Sequence, residues 1–257
     1  MPREEQLLIA NRGNTLYGMI YAPEATPMGV FVFCHPLFEE RKSAARVMVE
    51  TARALCADGL AVVTFDYRGC GDSPGEFRDF SAPDWMDDIE SAIGLARQRF
   101  GAAPLGLLGL RLGASFALRT AVSRPDVDFL VLWEPVINGR PHVEQELRKK
   151  LMKEVLTFGK GRKDRASLLK ILDEGGEVDF DGYPITARLY RDLAGINLEI
   201  EAASFKKSSL LMHVTSQGAA AKPISQLHGM LQKPGVTADL KLVHEPPFWN
   251  LVGLVDS

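Results

Sequence analysis

Residues 6–10 and 15–21 alternate apolar and polar side chains on either side of Arg12-Gly13-Asn14. That pattern predicts an antiparallel hairpin at a sheet edge. Residues 29–34 (Gly-Val-Phe-Val-Phe-Cys) are continuously apolar, as a strand covered on both faces should be. Helical periodicity follows over 43–58, with Val47, Val49, Ala52, Leu55 and Cys56 as the buried stripe, and residues 60–65 read as another buried strand. Residues 82–99 are helical, capped at the start by Ser81 or Asp84. Short apolar strands at 105–108, 129–133, 210–214 and 239–243 complete the set, with helices between most of them. Strands and helices alternating at this spacing imply an α/β fold with a mostly parallel central sheet and right-handed crossovers.

One stretch breaks that rhythm. Residues 138–204 are charge-rich and mostly helical in pattern (143–158, then 166–172), with Gly159-Lys160-Gly161 and Glu174-Gly175-Gly176 as breakers. Lying between two core strands, the stretch reads as a helical cap insertion. The chain then divides into a core at 1–137, the cap at 138–204 and the remaining core at 205–257.

The 257 residues are 46% hydrophobic and 25% charged, enough for one α/β domain with a substantial core. A net charge of -3 argues against nucleic acid as a partner. Arg148-Lys149-Lys150 and Lys160-Gly161-Arg162-Lys163 read as a solvated helix face and loop. Cys34, Cys56 and Cys70 are odd in number and lie in or beside core elements, the usage of reduced thiols. With neither a signal-peptide layout nor an apolar run of about 20 residues, the expected location is cytoplasmic, with no membrane span. No metal or cofactor is expected.

The most informative segment is residues 104–115. An apolar strand enters Gly109-Leu110-Arg111-Leu112-Gly113, and an Ala-rich helical pattern leaves it. Glycines flanking a central residue are what a sharp strand-to-helix turn requires. A second motif, Asp66-Tyr67-Arg68-Gly69-Cys70-Gly71-Asp72-Ser73, supplies glycines for a tight loop, and Asp66, Arg68, Asp72 and Ser73 can tie it by hydrogen bonds. Together with Trp85, Asp87 and Asp88 and the order of elements, these segments resemble the α/β-hydrolase fold over nearly the whole chain. Within that superfamily, Cys34-His35-Pro36, the Gly109–Gly113 segment and Leu132-Trp133-Glu134-Pro135 look most like hydrolase-like proteins of exosortase-associated gene clusters. That resemblance implies a setting in cell-envelope polysaccharide or acyl metabolism.

The resemblance implies a nucleophile at the turn, an acid after the sixth or seventh strand and a histidine after the eighth. This chain departs at each. Arg111 holds the nucleophile position, and a guanidinium is neither a base nor a nucleophile at any physiological pH. Ser115, four residues on, should lie along the helix flank as a packing residue. No carboxylate stands in 211–218, the region of the usual acid around Gln217. The family's small-His-Phe ending maps onto Pro247-Phe248-Trp249, which puts Pro247 where the histidine belongs and leaves His244 three residues away.

The expectation is therefore an α/β-hydrolase-like protein with a degenerate triad that binds a small acyl or anionic ligand, or a protein partner through its cap. The alternative is a genuine esterase- or thioesterase-like hydrolase with a displaced constellation, built from His35, His244, Ser115 or a cysteine with Glu134. Arg111 either pairs internally, with Glu134 at the end of the sixth strand or with Glu39 or Glu40 in the loop after His35-Pro36, or it faces a ligand. An unpaired buried arginine costs several kcal/mol. In the family, the His at position 35 orients the oxyanion-hole loop, while Pro36 stiffens that turn and removes one N–H. Leu112 beside the arginine, Leu37 and Phe38 at a pocket mouth, and Phe248 and Trp249 at its rim are the remaining candidate ligand contacts.

Overall fold

The structure is a computed structural model that describes residues 3–158 and 164–250. The breakers at 159–161 and the basic run 160–163 lie outside the described residues. The hairpin is β1 (Arg3–Asn11) and β2 (Asn14–Ala22), followed by β3 (Val30–Cys34), α1 (Phe38–Ala57) and β4 (Ala61–Phe65). Then come α2 (Ala82–Phe100), β5 (Leu105–Leu110), α3 (Leu112–Ser123) and β6 (Phe129–Trp133). After the intervening segment, β9 (Ser208–Val214), α8 (Lys222–Leu231) and β10 (Ala238–Val243) close the core.

The sheet runs β1-β2-β4-β3-β5-β6-β9-β10. The hairpin and its join to β4 are antiparallel, and every other pairing is parallel. All residues of β3 and β5 are buried, because helices cover both faces. Strand alternation sorts them: Val30 and Val32 pack with Trp85 and Ile89 of α2, whereas Phe31 and Phe33 pack with Val47, Met48 and Ala52 of α1. Met48 joins the α1 stripe, and Val49 and Leu55 are only half-buried.

Two elements depart from expectation. Helix α1 begins at Phe38, so Glu39 and Glu40 form its acidic first turn rather than a loop. Carboxylates are favoured there by the positive end of the helix dipole. The segment between β6 and β9 is not wholly helical. It holds α4 (Gly139–Phe158), α5 (Arg165–Asp173), the hairpin β7 (Glu177–Phe180) and β8 (Tyr183–Thr186), then α6 (Ala187–Ala194) and α7 (Leu198–Ser204). The hairpin turns at Asp181-Gly182, both at positive φ, the conformation that an Asp-Gly pair favours. Helix α8 opens with Pro223 in its first turn.

The Asp66–Ser73 loop is tied as its side chains suggest, except that Asp72 contributes only its backbone N–H, to Asp66 Oδ2 at 2.8 Å. Ser73 Oγ donates to the Asp66 carbonyl (2.6 Å) and accepts from Tyr17 N (3.0 Å). Asp88, fully buried on α2, accepts from the backbone N–H of Arg68 (2.8 Å), from its Nε (2.6 Å) and from Asn11. The loop, the hairpin and α2 thus meet on one carboxylate. Removing one partner of a buried pair typically costs about 3–5 kcal/mol, so Asp88→Ala should lose that much in urea denaturation. Exposed Asp72→Ala should change stability by less than about 0.5 kcal/mol; equal effects would deny Asp88 this role.

Candidate functional site

Arg111 is the single residue between β5 and α3, at φ 57° and ψ −122°. A non-glycine backbone there costs on the order of 1–3 kcal/mol and survives only when its surroundings impose it. They do so here. A Cβ on Gly109 would lie 2.4 Å from Ala114 Cα, and one on Gly113 only 2.0 Å from the Cys34 carbonyl oxygen. Only glycines let the helix start this close to β5 and β3. The Arg111 N–H donates to Trp133 O (3.0 Å), and its carbonyl accepts from Ala114 N (3.0 Å).

The side chain is held as firmly. Nε donates to Glu40 Oε1 at 3.0 Å, Nη1 reaches the Glu134 carbonyl at 3.4 Å, and the guanidinium lies over the Trp249 ring at 5.2 Å. Among the three carboxylates expected to compete for it, Glu40 takes it. Glu39 is exposed and pairs with Lys42. Burial pushes the Glu40 carboxyl up against the pull of Arg111, and its Oε2 has no partner among the described residues.

The Glu134 carboxylate turns to β9 instead. Its Oε2 accepts from Val214 N (2.8 Å) and meets His213 Nδ1 (2.8 Å). His213 Nε2 faces the Ala221 N–H at 3.4 Å. Within 211–218, where a carboxylate was expected, the imidazole of His213 is the group that meets Glu134. The available signal was a histidine inside an apolar strand, one position before the strand's C-terminal residue.

A cavity of about 520 Å³ lies beside these groups, lined by Arg111, Glu134, His213, His142, Gln145 and a largely apolar wall that includes Val136, Ile137 and Ile224. Glu40, Phe38 and Trp249 line a second cavity of about 260 Å³ with lysines of α4. The Arg111–Glu40 pair therefore forms part of the wall between the two.

The remaining candidates are dispersed. Ser115 is fully buried, its hydroxyl donating to Val136 O at 2.7 Å. Leu37 and Leu112 are core residues with no exposed surface, and Phe38 packs on Phe77 and Tyr183. Phe248 and Trp249 are buried rather than at a rim, stacked edge to face on each other and, for Phe248, on Trp133. Burial and nearby Arg41 drop the pKa of His35 to about 3; burial and the charges of Arg111 and Lys149 do the same to His142. Both imidazoles are therefore neutral at physiological pH. His244 is exposed and lines a different cavity, with Gln217 and Pro247. Among the described residues, no group of three His, Cys, Asp or Glu is placed to hold a metal, and no helix is long and apolar enough to cross a membrane.

Residues 25–169, more than half of the chain, match the family model of serine aminopeptidase, S33. The chain belongs to that family. Solved structures agree in fold. A ferulic-acid-bound Est1E from Butyrivibrio proteoclasticus superposes with a TM-score of 0.67 at 19% identity, over 94% of this chain and 89% of that one. An esterase of Pyrococcus furiosus gives 0.66 at 15%, over 95% and 83%. In sequence, 122 residues are 25% identical to an uncharacterized protein of Rickettsia prowazekii, covering 48% of this chain. The match spans half the length of that curated relative.

The ion pair yields a direct test. Glu40→Ala strands a largely buried guanidinium and should cost about 3 kcal/mol, whereas Glu40→Leu with Arg111→Met should fall within about 1 kcal/mol of the parent. Equal losses in both, measured by urea denaturation, would show that the two residues are not coupled.

Proposed function

We propose that this S33-family chain is an α/β-hydrolase relative that does not form an acyl-serine intermediate and binds a small acyl group in the cavity beside Arg111. The observation that carries the reading is the strained turn itself. The position between β5 and α3, where a hydrolase of this fold presents its nucleophile, holds a guanidinium paired with Glu40. Ser115 Oγ is spent on Val136 O, and His244 stands elsewhere, so neither supplies a substitute.

Arg111 lines the cavity with Nη2 free of protein hydrogen bonds among the described residues. Because Glu40 already matches its charge, the guanidinium suits the oxygen of an acyl carbonyl at least as well as a full anion. The apolar wall suits a short chain. Asn138, His142, Gln145 and Glu199 border the same cavity, which supports reading residues 138–204 as its cap between the core segments 1–137 and 205–257. The likeness to exosortase-associated proteins is consistent with acyl or cell-envelope metabolism, and the free thiols of Cys34, Cys56 and Cys70 with a cytoplasmic setting.

A fluorophosphonate probe should leave the parent unlabelled, with intact-mass measurement as the readout; a serine adduct would refute the reading. In calorimetric titrations, hexanamide and hexanoate should bind with similar affinity. The Glu40→Leu/Arg111→Met variant should lose roughly 10- to 100-fold, the worth of a hydrogen bond to a charged donor. Unchanged affinity in that variant would remove Arg111 from the site, and a large preference for hexanoate would favour an anion site over an acyl one.

A further inference from the structure

We propose that Glu134 and His213 form a general-base pair through which the cavity hydrolyses a small carboxylic ester with water as the nucleophile. The proposal rests on the acyl-binding reading above. Strands β6 and β9 are parallel neighbours in register, with Trp133 opposite Met212. The next residue of each, Glu134 and His213, therefore emerges side by side at the C-terminal end of the sheet. Glu134 has left-handed backbone (φ 45°), and its N–H still donates to Met212 O at 2.8 Å. That turn carries its carboxylate back across β9 to Val214 N and His213 Nδ1.

The pairing sets the tautomer. A carboxylate can only accept, so Nδ1 carries the proton and Nε2 of the neutral ring holds the lone pair. The neighbour of Nε2 agrees, because the Ala221 N–H can only donate. At 3.4 Å that contact is long, and a water could take its place at the nitrogen. His213, Glu134 and Arg111 line one cavity. Together they make an oriented base beside a cationic donor for a carbonyl oxygen, with no side-chain nucleophile required.

The step balances. Nε2 takes a proton from water as the water oxygen bonds to the acyl carbon. The carbonyl π pair moves to its oxygen, which Arg111 N–H groups hold. Collapse of the tetrahedral adduct breaks the carbon–oxygen bond to the alcohol, and the imidazolium returns the proton to the departing alkoxide. Glu134 acts through His213 and is a positioning residue.

The test uses p-nitrophenyl butyrate and the full chain, with every variant purified identically. The parent should turn it over above the buffer rate. His213→Gln should lower kcat about 100-fold or more, Glu134→Gln should lower kcat at unchanged KM, and exposed His244→Ala should match the parent. Parent-like kcat in His213→Gln, or no parental turnover, overturns the proposal. Should His213→Gln fail to fold, Glu134→Gln decides: a lowered kcat at constant KM supports the pair, and an unchanged kcat overturns it. Hexanamide titration separates the two readings. Arg111-dependent binding without turnover rejects the base pair alone, whereas absent binding rejects the acyl site itself.

Discussion

The ion pair between Arg111 and Glu40 is the contact on which the site is organised. It joins the turn after β5 to the first turn of α1, and Trp249 packs over the guanidinium from the last described segment of the chain. Three stretches far apart in sequence meet there. The pair lies where charges are expensive to bury, and Glu40 keeps one oxygen without a partner. A site that retains such a cost, together with left-handed backbone at Phe38, Arg111 and Glu134, is arranged around the C-terminal ends of adjacent strands. Open α/β sheets bind ligands at that end.

From that pair the rest of the site follows. Arg111 is committed to Glu40, and the Glu134 carboxylate turns to β9. There an imidazole and a backbone N–H satisfy it. The wall built by Arg111 and Glu40 divides the space above the sheet, leaving the larger cavity on the side of Glu134 and His213. The α/β-hydrolase fold is present, with Arg111 at the turn after β5 and the Glu134–His213 pair one strand further along.

Much of the fold was legible in the sequence because local chemistry dictates it. The Gly109 and Gly113 flanks foretold the turn, and their close approaches to Ala114 and Cys34 give the reason. The edge hairpin, the parallel strands and the Asp66–Ser73 loop likewise followed from alternation, apolar runs and glycine placement. Asp181-Gly182 carried a hairpin signal within a charge-rich stretch that helical periodicity dominated. What the sequence did not disclose was pairing. Which carboxylate meets Arg111 depends on α1 starting at Phe38, five residues before its apolar stripe becomes periodic. His213 and Glu134 are 79 positions apart and meet only because β6 and β9 are neighbours in the sheet. The family's order of residues asks for a histidine at Pro247 and a carboxylate within 211–218, where His213 stands instead.

In the proposed site Arg111 stays paired with Glu40 while offering its remaining donors to an acyl oxygen. A crystal structure of the protein with hexanamide bound tests it most directly. The account predicts the amide oxygen within hydrogen-bond distance of an Arg111 Nη atom, the alkyl chain against Val136 and Ile224, and Nε still on Glu40. Hexanamide bound away from Arg111, or a guanidinium that has left Glu40 to reach it, would contradict the account.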